Sequence, residues 1–370
     1  MREFVILDLS LRRSLRRSSG LLLLSFADSA WQTLELFLIA GLRLQLDVAL
    51  VHGVAVAAAL ANWNGAPYLP KCFAALEAQT TGLDEIVVVD NGSTDGSDAW
   101  LAARGDAVRL FRSDRNEGYC AGYNRAIAAT DTPYVLALNT DVYLDPGFVR
   151  AAVRVLDDHG EAAAVTGSFY EEATGRTIGG GFRLRRQLRM RPETADGPAR
   201  EVFGASGAAV LFRRAALDEA ADVTGEIYDD RYFSYGEDID LAWRLRSLGW
   251  TVRYTPDARA HHVGSGSLGG ALRFLEKPAV FQRHVLKNRY LTLLKNAPPG
   301  LLVEMGAALM LTDLALWPYL CLRQPLRVPH LLGGIADVLR LLPGTWRRRR
   351  LLQARSRLGS RAVRPWLHGL

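Results

Sequence analysis

Residues 86–97 read Ile-Val-Val-Val-Asp-Asn-Gly-Ser-Thr-Asp-Gly-Ser, an apolar run that ends in small polar residues. A short run of β-branched residues predicts a strand buried on both faces, and Asn91-Gly92 predicts the turn that ends it. Short apolar runs of the same kind stand at 54–61, 109–111 and 134–138. The sequence therefore predicts a set of buried strands in this part of the chain.

Helical patterns lie between these strands. Apolar residues recur at helical spacing over 67–79, an acidic residue opens 95–104, and 122–130 is rich in Ala. Alternating strands and helices predict an α/β domain with a mainly parallel central sheet and helices on both faces. Ligands of such sheets bind beyond the carboxyl ends of the strands, where the polar clusters of this sequence fall.

Composition limits the class of protein. The chain has 370 residues, of which 49% are hydrophobic and 23% charged, and this is typical of a folded protein. The cysteines Cys72, Cys120 and Cys321 show no paired spacing and sit in apolar or small-residue contexts. They predict buried free thiols and a reducing compartment.

The first 50 residues form a predicted extension. Arginines precede Leu21–Leu24, but Asp28 and Glu35 would each cost about 2.5–3.5 kcal/mol at the centre of a spanning helix. We expect residues 1–50 to be a peripheral amphipathic extension, or a segment without function.

The C-terminal region differs again in composition. Residues 301–321 are strongly apolar, and arginines crowd the segment after Arg340. Basic residues interleaved with apolar ones favour an anionic membrane surface over nucleic acid, since no base-reading module is present. We predict a catalytic domain at 51–296 and a helical, membrane-associating region at 297–370. The expected location is the cytoplasmic, inner face of the cell membrane.

Three polar clusters carry the candidate chemistry. The first follows the strand that ends at Val89, where Asp90 and Asn91 are placed to contact a nucleoside. The neighbouring Ser93, Thr94 and Asp95 also suit an Asx turn that caps the next helix.

The second cluster is Asn139-Thr140-Asp141. A diphosphate leaving group gains negative charge as its bond to a sugar breaks, and a divalent cation held by Asp141 would stabilise that charge. Alternatively, Asp141 simply ends a strand.

The third cluster is Tyr235-Gly236-Glu237-Asp238-Ile239-Asp240, which opens a helix that stops at Gly249. A carboxylate in the first helical turn is held ionised by the helix dipole, as a general base requires. Asp238 is the candidate base, while Glu237 and Asp240 are candidates to orient neighbours or bind the acceptor. Ordinary helix capping is the alternative.

The order and spacing of these clusters resemble the inverting family 2 glycosyltransferases with the GT-A fold, especially bacterial rhamnosyltransferase-like members that build cell-surface polysaccharides. The resemblance covers about residues 54–296. It rests on Asn62-Trp63-Asn64-Gly65, the segments 89–97 and 116–124, Asn139-Thr140-Asp141-Val142, Gly204-Ala205-Ser206-Gly207, the segment 236–244, and His262 ahead of Gly264-Ser265-Gly266-Ser267.

The resemblance implies a GT-A nucleotide-diphospho-sugar transferase fold and a set of roles. Asp238 would be the catalytic base, and Asp141 with His262 would hold magnesium or manganese, His261 being the lesser choice. Glu237 and Asp240 would contact or orient the acceptor. The implied nucleotide-sugar-binding residues are Asn62, Asp90, Asn91, Asn116, Gly118, Asn124, Asn139, Gly204 and Ala205. The glycines among them also suit close-packed turns.

The implied reaction is a single displacement with inversion, from dTDP-rhamnose or a UDP-sugar to a glycan or lipid-linked acceptor. The expected partners are that donor, that acceptor and an anionic membrane surface, but no nucleic acid.

Two other functions were compared with this one. A nucleotidyltransferase should show a glycine-rich, basic phosphate-binding segment after its first strand, and residues 62–65 are not such a segment. A non-catalytic membrane assembly protein with a relic GT-A domain is the alternative.

Residues 174–201 are predicted to form an irregular loop over the site.

Overall fold

A computed structural model describes residues 54–193, 195, 197–264 and 274–369. The predictions for residues 1–50 and for Ser265-Gly266-Ser267 lie outside the described residues. The described strands form one large mixed sheet and one small sheet.

Four strands form the parallel half of the large sheet. They are β1 (Val56–Asn62), β2 (Glu85–Asp90), β3 (Arg109–Arg112) and β4 (Tyr134–Leu138). Their order across the sheet is β3-β2-β1-β4, and every pair is parallel. Asn62 is in register with Asp90, so the polar residues that end these strands meet at one edge, as predicted.

The other half of this sheet is mixed. Its strands are β5 (Val142–Leu144), β6 (Ala162–Glu171), β7 (Thr177–Gly179), β10 (Arg200–Val202), β12 (Ala209–Arg213) and β13 (Thr251–His262). Strand β12 is antiparallel to both β4 and β6, whereas β13 runs parallel to β6 and antiparallel to β5. The pairing of β13 with β5 brings the end of β13 to the turn after β4.

Six helices lie between Leu69 and Ser247 and alternate with the strands along the chain. They are α1 (Leu69–Glu77), α2 (Ser97–Ala102), α3 (Tyr119–Ala128), α4 (Phe148–Asp158), α5 (Arg214–Thr224) and α6 (Glu237–Ser247). Alternate residues of β1 enter different cores: Ala58 and Leu60 pack in the core that includes α1 and α4, and Ala59 packs with α3, α5 and α6. This period of two is expected of a strand covered on both faces.

A small sheet occupies the segment predicted to be an irregular loop. Strand β8 (Gly181–Arg185) pairs with β9 (Met190–Pro192), β11 (Gly204–Ala205) and β14 (Leu367–His368). The prediction of a loop over 174–201 is therefore wrong. Its Gly and Pro residues mark turns between very short strands, and one partner strand comes from the far end of the chain.

Three long helices complete the described chain: α7 (Ala279–Asn296), α8 (Pro299–Arg323) and α9 (Val328–Arg355). Several arginines of the basic C-terminal segment bond to the rest of the protein. Arg349 donates to the carbonyl oxygens of Leu294 and Ala297, and Arg348 pairs with Glu226 at 2.8 Å. Part of the positive charge that the sequence pattern predicts for a membrane surface therefore stabilises the fold instead.

Helix α8 is apolar and only partly covered. Among the described residues it is the one helix long and apolar enough to cross a membrane, with a mean hydropathy of 1.5. Both of its acidic residues bond to other parts of the chain: buried Asp313 accepts from Arg289 and Tyr290, and half-buried Glu304 pairs with Arg186. Six large apolar side chains of α8 are exposed: Val303, Met310, Leu311, Leu314, Tyr319 and Leu322.

Candidate functional site

A cleft of about 340 Å³ opens at the carboxyl ends of the parallel strands. Residues from all three predicted polar clusters line it, although they are far apart in sequence. The predicted site residues on its wall are Asn62, Asn91, Asn116, Asn139, Asp141, Glu237, Asp238 and His262.

Asn62 and Asp90 form a buried hydrogen-bond group at the ends of β1 and β2. The Nδ2 of Asn62 donates to Oδ1 of Asp90 at 2.7 Å and to Ser97 Oγ at 2.9 Å, while Ser93 N–H donates to Asp90 Oδ2. A side chain at Gly65 would collide with Asn62 Oδ1. Asp90, which is only 2% exposed, thus holds Asn62 in place on the cleft wall.

Asn91 holds the loop that precedes α3. Its Nδ2 donates to the carbonyl oxygen of Gly118 at 2.9 Å, and its Oδ1 accepts from the N–H of Glu117 at 3.1 Å. Gly118 has φ of +95°, and a Cβ there would meet Phe233. Asn91 therefore shapes the loop that carries Asn116 to the cleft, and Gly118 is required for close packing.

Asn124 is placed outside the cleft. Its amide donates to the carbonyl oxygen of Tyr228 at 2.7 Å and accepts from the N–H of Tyr228 at 2.8 Å. Gly204 and Ala205 form β11, and a Cβ on Gly204 would meet Phe182. These three residues support the fold around the cleft, whereas the next two along the chain, Ser206 and Gly207, line it.

Asp141 and His262 meet on one side of the cleft. Asp141 follows β4 and is 7% exposed, and its Oδ2 lies 3.4 Å from Nε2 of His262 at the end of β13. That nitrogen is buried and has no hydrogen-bond partner among the described residues. The described chain has no cluster of three or more His, Cys, Asp or Glu able to hold a metal, so these two form a pair.

The Asp141–His262 pair fits a divalent cation. The carboxylate oxygen is a ligand of the kind that magnesium and manganese prefer, and the unpartnered imidazole nitrogen beside it offers a second ligand atom of the kind that transition metals bind. Asn139, also on the cleft wall, accepts a hydrogen bond from Tyr123 at 2.9 Å. His261 points away from this pair, toward Asp145 at 3.6 Å.

Asp238 lies in the first turn of α6 and faces the cleft. Burial raises its pKa to about 6, although the backbone N–H of Gly207 opposes the shift. A Cβ on Gly207 would lie 2.6 Å from Asp238 Oδ1, so only glycine allows this approach. A partly protected carboxylate with a pKa near neutrality suits proton abstraction from a hydroxyl.

Glu237 is the buried neighbour of Asp238. It also lines the cleft, and its pKa is raised well above the usual value by burial and then by the charges of Asp238 and Asp240. Burial therefore disfavours the charged form of the Glu237 carboxyl group.

Asp240 points away from the cleft into a buried ionic network. Its carboxylate accepts from Arg244 Nε at 2.9 Å, Lys295 Nζ at 2.9 Å and Asn296 Nδ2 at 2.7 Å. Burial alone would raise the pKa of Asp240, but Lys295 and Arg244 lower it. Asp240 consequently anchors α6 to α7 rather than meeting a ligand.

Aromatic residues of the cleft wall were not predicted from the sequence. They are Trp63, Tyr68, Tyr119, Phe233, Tyr235 and Phe281. Trp63 and Tyr119 lie inside the motifs quoted above and could have been singled out there. Phe281 belongs to α7, which no motif marks.

Comparison with known proteins supports one family. Residues 59–220 match the model of the family described as Glycosyl transferase family 2. The N-acetylglucosaminyl-diphospho-decaprenol L-rhamnosyltransferase of Mycobacterium tuberculosis is 30% identical over 237 residues, which cover 56% of this chain and 76% of the relative. Succinoglycan biosynthesis protein ExoO of Rhizobium meliloti is 30% identical over 224 residues, 58% of this chain and 62% of that protein.

Solved structures agree on the fold. The S. aureus TarS 1–349 complex with UDP has a TM-score of 0.52 at 15% identity, covering 83% of this chain and 85% of TarS. GalNAc-T7 with UDP, GalNAc and Mn²⁺ also has a TM-score of 0.52, at 14% identity, over 65% of this chain and 48% of that one. The sheet order, the cleft and these relatives lead to one conclusion: the chain belongs to glycosyl transferase family 2 and is a glycosyltransferase with the GT-A fold.

Proposed function

We propose that this glycosyltransferase moves a sugar, with inversion, from dTDP-rhamnose or a UDP-sugar to a glycan or lipid-linked acceptor in cell-surface polysaccharide synthesis. The observation that carries the proposal is the environment of Asp238. It combines a pKa raised to about 6 with a place in the same cleft as Asp141 and His262.

Different walls of the cleft would bind the donor and the acceptor. Asn62, Asn91 and Asn116 present amides at the ends of β1 and β2 and in the loop before α3, where a nucleoside would bind. Phe233, Tyr235 and the N-terminus of α6 would face the acceptor. Aromatic rings offer apolar faces on which sugar rings can pack.

Asp141 and His262 would hold a manganese or magnesium ion, which when bound would neutralise the charge that develops on the diphosphate. The protein's own part is to hold the donor and to remove a proton. As the acceptor oxygen attacks the anomeric carbon, its proton passes to Asp238 Oδ and the bond to the diphosphate oxygen breaks. Attack from the face opposite the leaving group inverts the anomeric configuration.

The names of two relatives support the acceptor class. One is a rhamnosyltransferase that acts on an N-acetylglucosaminyl-diphospho-decaprenol, and the other is a succinoglycan biosynthesis protein. A lipid-linked acceptor requires the enzyme to work at a membrane surface.

Helix α8 would supply that attachment, peripherally and on the cytoplasmic face. Its exposed apolar side chains recur at Val303, Met310, Leu314 and nearby positions, while both of its acidic residues form ion pairs with arginines of other segments. We propose 51–296 as the catalytic region and 297–370 as a helical region that both packs on it and contacts the membrane. Residues 1–50 remain a proposed extension.

The test is donor turnover with a panel of UDP-, dTDP- and GDP-sugars, with manganese or magnesium and a lipid extract as acceptor. We expect metal-dependent transfer from one donor that Asp238→Asn abolishes. Asp218→Asn, on an exposed position of α5, is the matched control and should be fully active. Failure of every donor to bind or turn over would contradict the proposed transfer reaction and favour a non-catalytic assembly role.

A further inference from the structure

Tyr119 joins two parts of the cleft wall that are distant in sequence. It is the first residue of α3, its side chain lies on the cleft wall, and its hydroxyl donates to the carbonyl oxygen of Gly207 at 3.0 Å. Gly207 also lines the cleft and lies in the short segment between β11 and β12. The hydroxyl of Tyr119 therefore ties the start of α3 to the residue that approaches Asp238.

Gly207 is enclosed between Tyr119 and Asp238. A Cβ built on Gly207 would lie 2.5 Å from the hydroxyl oxygen of Tyr119 and 2.6 Å from Oδ1 of Asp238, so both oxygen atoms lie close to its Cα. The carbonyl oxygen of Gly207 accepts from Tyr119, and its N–H donates to the carboxylate of Asp238. Glycine has wide backbone freedom because it lacks a Cβ, and these two bonds restrict that freedom.

The ring of Tyr119 is held independently of its hydroxyl. Its centroid lies 4.3 Å from that of Tyr123 and 5.8 Å from that of Tyr228, and the second contact is edge-to-face. Aromatic pairs at these distances stabilise each other. A phenylalanine would keep both ring contacts, so the packing of the ring does not require the hydroxyl group.

We propose that Tyr119 is a positioning residue for the base: its hydroxyl fixes the backbone of Gly207, whose N–H in turn fixes the carboxylate of Asp238 toward the acceptor. This inference rests on the proposed function, because it needs Asp238 to remove the proton of the acceptor. A base must lie within hydrogen-bond reach of that proton, so a small displacement of its carboxylate slows the reaction. Tyr119 acts through Gly207 and need not touch a reacting atom.

The ionised form of Asp238 depends on this contact. The titratable groups that face Asp238 are Glu237 of α6, Tyr119 and Tyr123 of α3, and Tyr228, and none of these is a cation. Burial opposes the charge of Asp238, whereas the N–H of Gly207 favours it. If Gly207 is no longer held, that bond weakens and the pKa of Asp238 rises.

Tyr119→Phe removes the hydroxyl and keeps the ring. We expect kcat to fall about tenfold with unchanged KM for donor and acceptor, and the acidic limb of the pH profile to move up by about half a pH unit. Tyr134→Phe is the matched control. The hydroxyl of Tyr134 donates to Asp157 at 2.6 Å, at the end of β4 remote from Asp141, so this variant should keep the wild-type kcat and pH profile.

Three kinetic outcomes would overturn the proposal. The first is a wild-type kcat in Tyr119→Phe. The second is a lower kcat with an unmoved acidic limb, or equal changes in Tyr119→Phe and Tyr134→Phe, either of which would indicate a structural role alone. The third is a raised KM for the acceptor at unchanged kcat, which would make Tyr119 a substrate contact.

A measurement without substrate tests the contact itself. In protein carrying isotope-labelled glycine, the amide resonance of Gly207 should move as Asp238 titrates near pH 6, and should not do so in Asp238→Asn. Tyr119→Phe should reduce this movement, and Tyr134→Phe should not. A Gly207 resonance that does not follow Asp238 would overturn the positioning role even in an active enzyme. If the resonance follows Asp238 but the wild type transfers no sugar, the proposed function is refuted and the positioning role with it.

Discussion

The Oδ2 atom of Asp141 lies 3.4 Å from Nε2 of His262, across the junction of the turn after β4 and the end of β13. The pairing of β13 with β5 produces this approach, and the N–H of Val263 donates to the carbonyl oxygen of Asp141 at 3.0 Å. The backbone therefore places Asp141 and His262 next to each other. A pair positioned in this way can bind a cation without a large change of conformation.

His262→Ala should weaken manganese binding. Loss of even an outer-shell partner typically costs about tenfold to 100-fold in metal affinity, so loss of a ligand should cost at least as much. The measurement is a titration of Mn²⁺ followed by electron paramagnetic resonance, in the presence of nucleoside diphosphate. His261→Ala is the matched control, since His261 turns to Asp145 and Glu172. Equal Mn²⁺ affinity in the wild type, His262→Ala and His261→Ala would show that His262 is not a metal ligand.

The pH dependence of transfer should follow Asp238. A general base must be ionised, and the pKa of Asp238 is raised to about 6. We therefore expect kcat/KM to rise with pH through about 6 and then level off. A profile without this acidic limb between pH 5 and 7, measured at saturating metal, would contradict Asp238 as the base.

The same shift predicts that Asp238→Asn stabilises the protein at neutral pH. The folded pKa lies above the usual value of 3.8, so the folded state holds this proton more tightly and loses stability as pH rises through about 6. The variant cannot ionise and should have a higher Tm at pH 7.5, with the difference vanishing below about pH 4. A lower Tm at pH 7.5 would show that burial is not what shifts this group.

Asn288→Leu should impair transfer more than it impairs folding. Asn288 on α7 donates to the carbonyl oxygens of Tyr232, Ser234 and Tyr235, and so holds a loop in which Tyr235 has φ of +71°. Three residues of this loop line the cleft. Since the loop faces the proposed acceptor side, we expect KM for the acceptor to rise by about tenfold while donor binding is unchanged.

Gln282→Leu is the matched control for this prediction. Gln282 lies on the same helix, is fully buried, and donates to Phe274 and Gln324 away from the cleft. It should lose a similar amount of stability but keep its KM for the acceptor. Parallel changes in both variants would mean that Asn288 serves the fold alone.

Lys295→Met should destabilise the fold strongly. Lys295 is 1% exposed and its ammonium lies 2.7 Å from Asp229 and 2.9 Å from Asp240. Removing the cation leaves two buried carboxylates facing each other, and breaking such a pair costs about 3–5 kcal/mol. Urea unfolding at pH 7 measures the loss. Lys71→Met, which breaks an exposed pair with Glu172, should cost less than about 1 kcal/mol.

The sequence predicted the parallel half of the sheet because its strands are short apolar runs buried on both faces and end in turn residues. Asn62, Asn91 and Asp141 could be assigned to the cleft for the same reason, since strand ends of a parallel sheet converge. The mixed half was not predicted, because antiparallel pairing of β12 with β4 and β6 depends on contacts distant in sequence.

Residues with buried polar partners were the hardest to assign. Asn124 and Asp240 look like site residues in their motifs, yet Asn124 clamps Tyr228 and Asp240 anchors α7. Their partners lie in segments that carry no motif of their own. Only the tertiary fold shows that one carboxylate of the α6 motif is buried with a cation and another faces the cleft.

Substitution of the exposed apolar face of α8 should release the enzyme from membranes. Leu311 and Leu314 are 59% and 70% exposed, and burying a leucine in an apolar phase contributes about 1.5–3 kcal/mol. Leu311→Glu combined with Leu314→Glu should therefore reduce binding to vesicles rich in phosphatidylglycerol by at least about 100-fold, measured by co-sedimentation. Transfer to a soluble acceptor analogue should persist. Ile178→Glu, which changes an exposed apolar residue on β7, should leave vesicle binding unchanged. If the double variant still sediments with vesicles, α8 is not the contact, and the exposed leucines of α9 become the next surface to test.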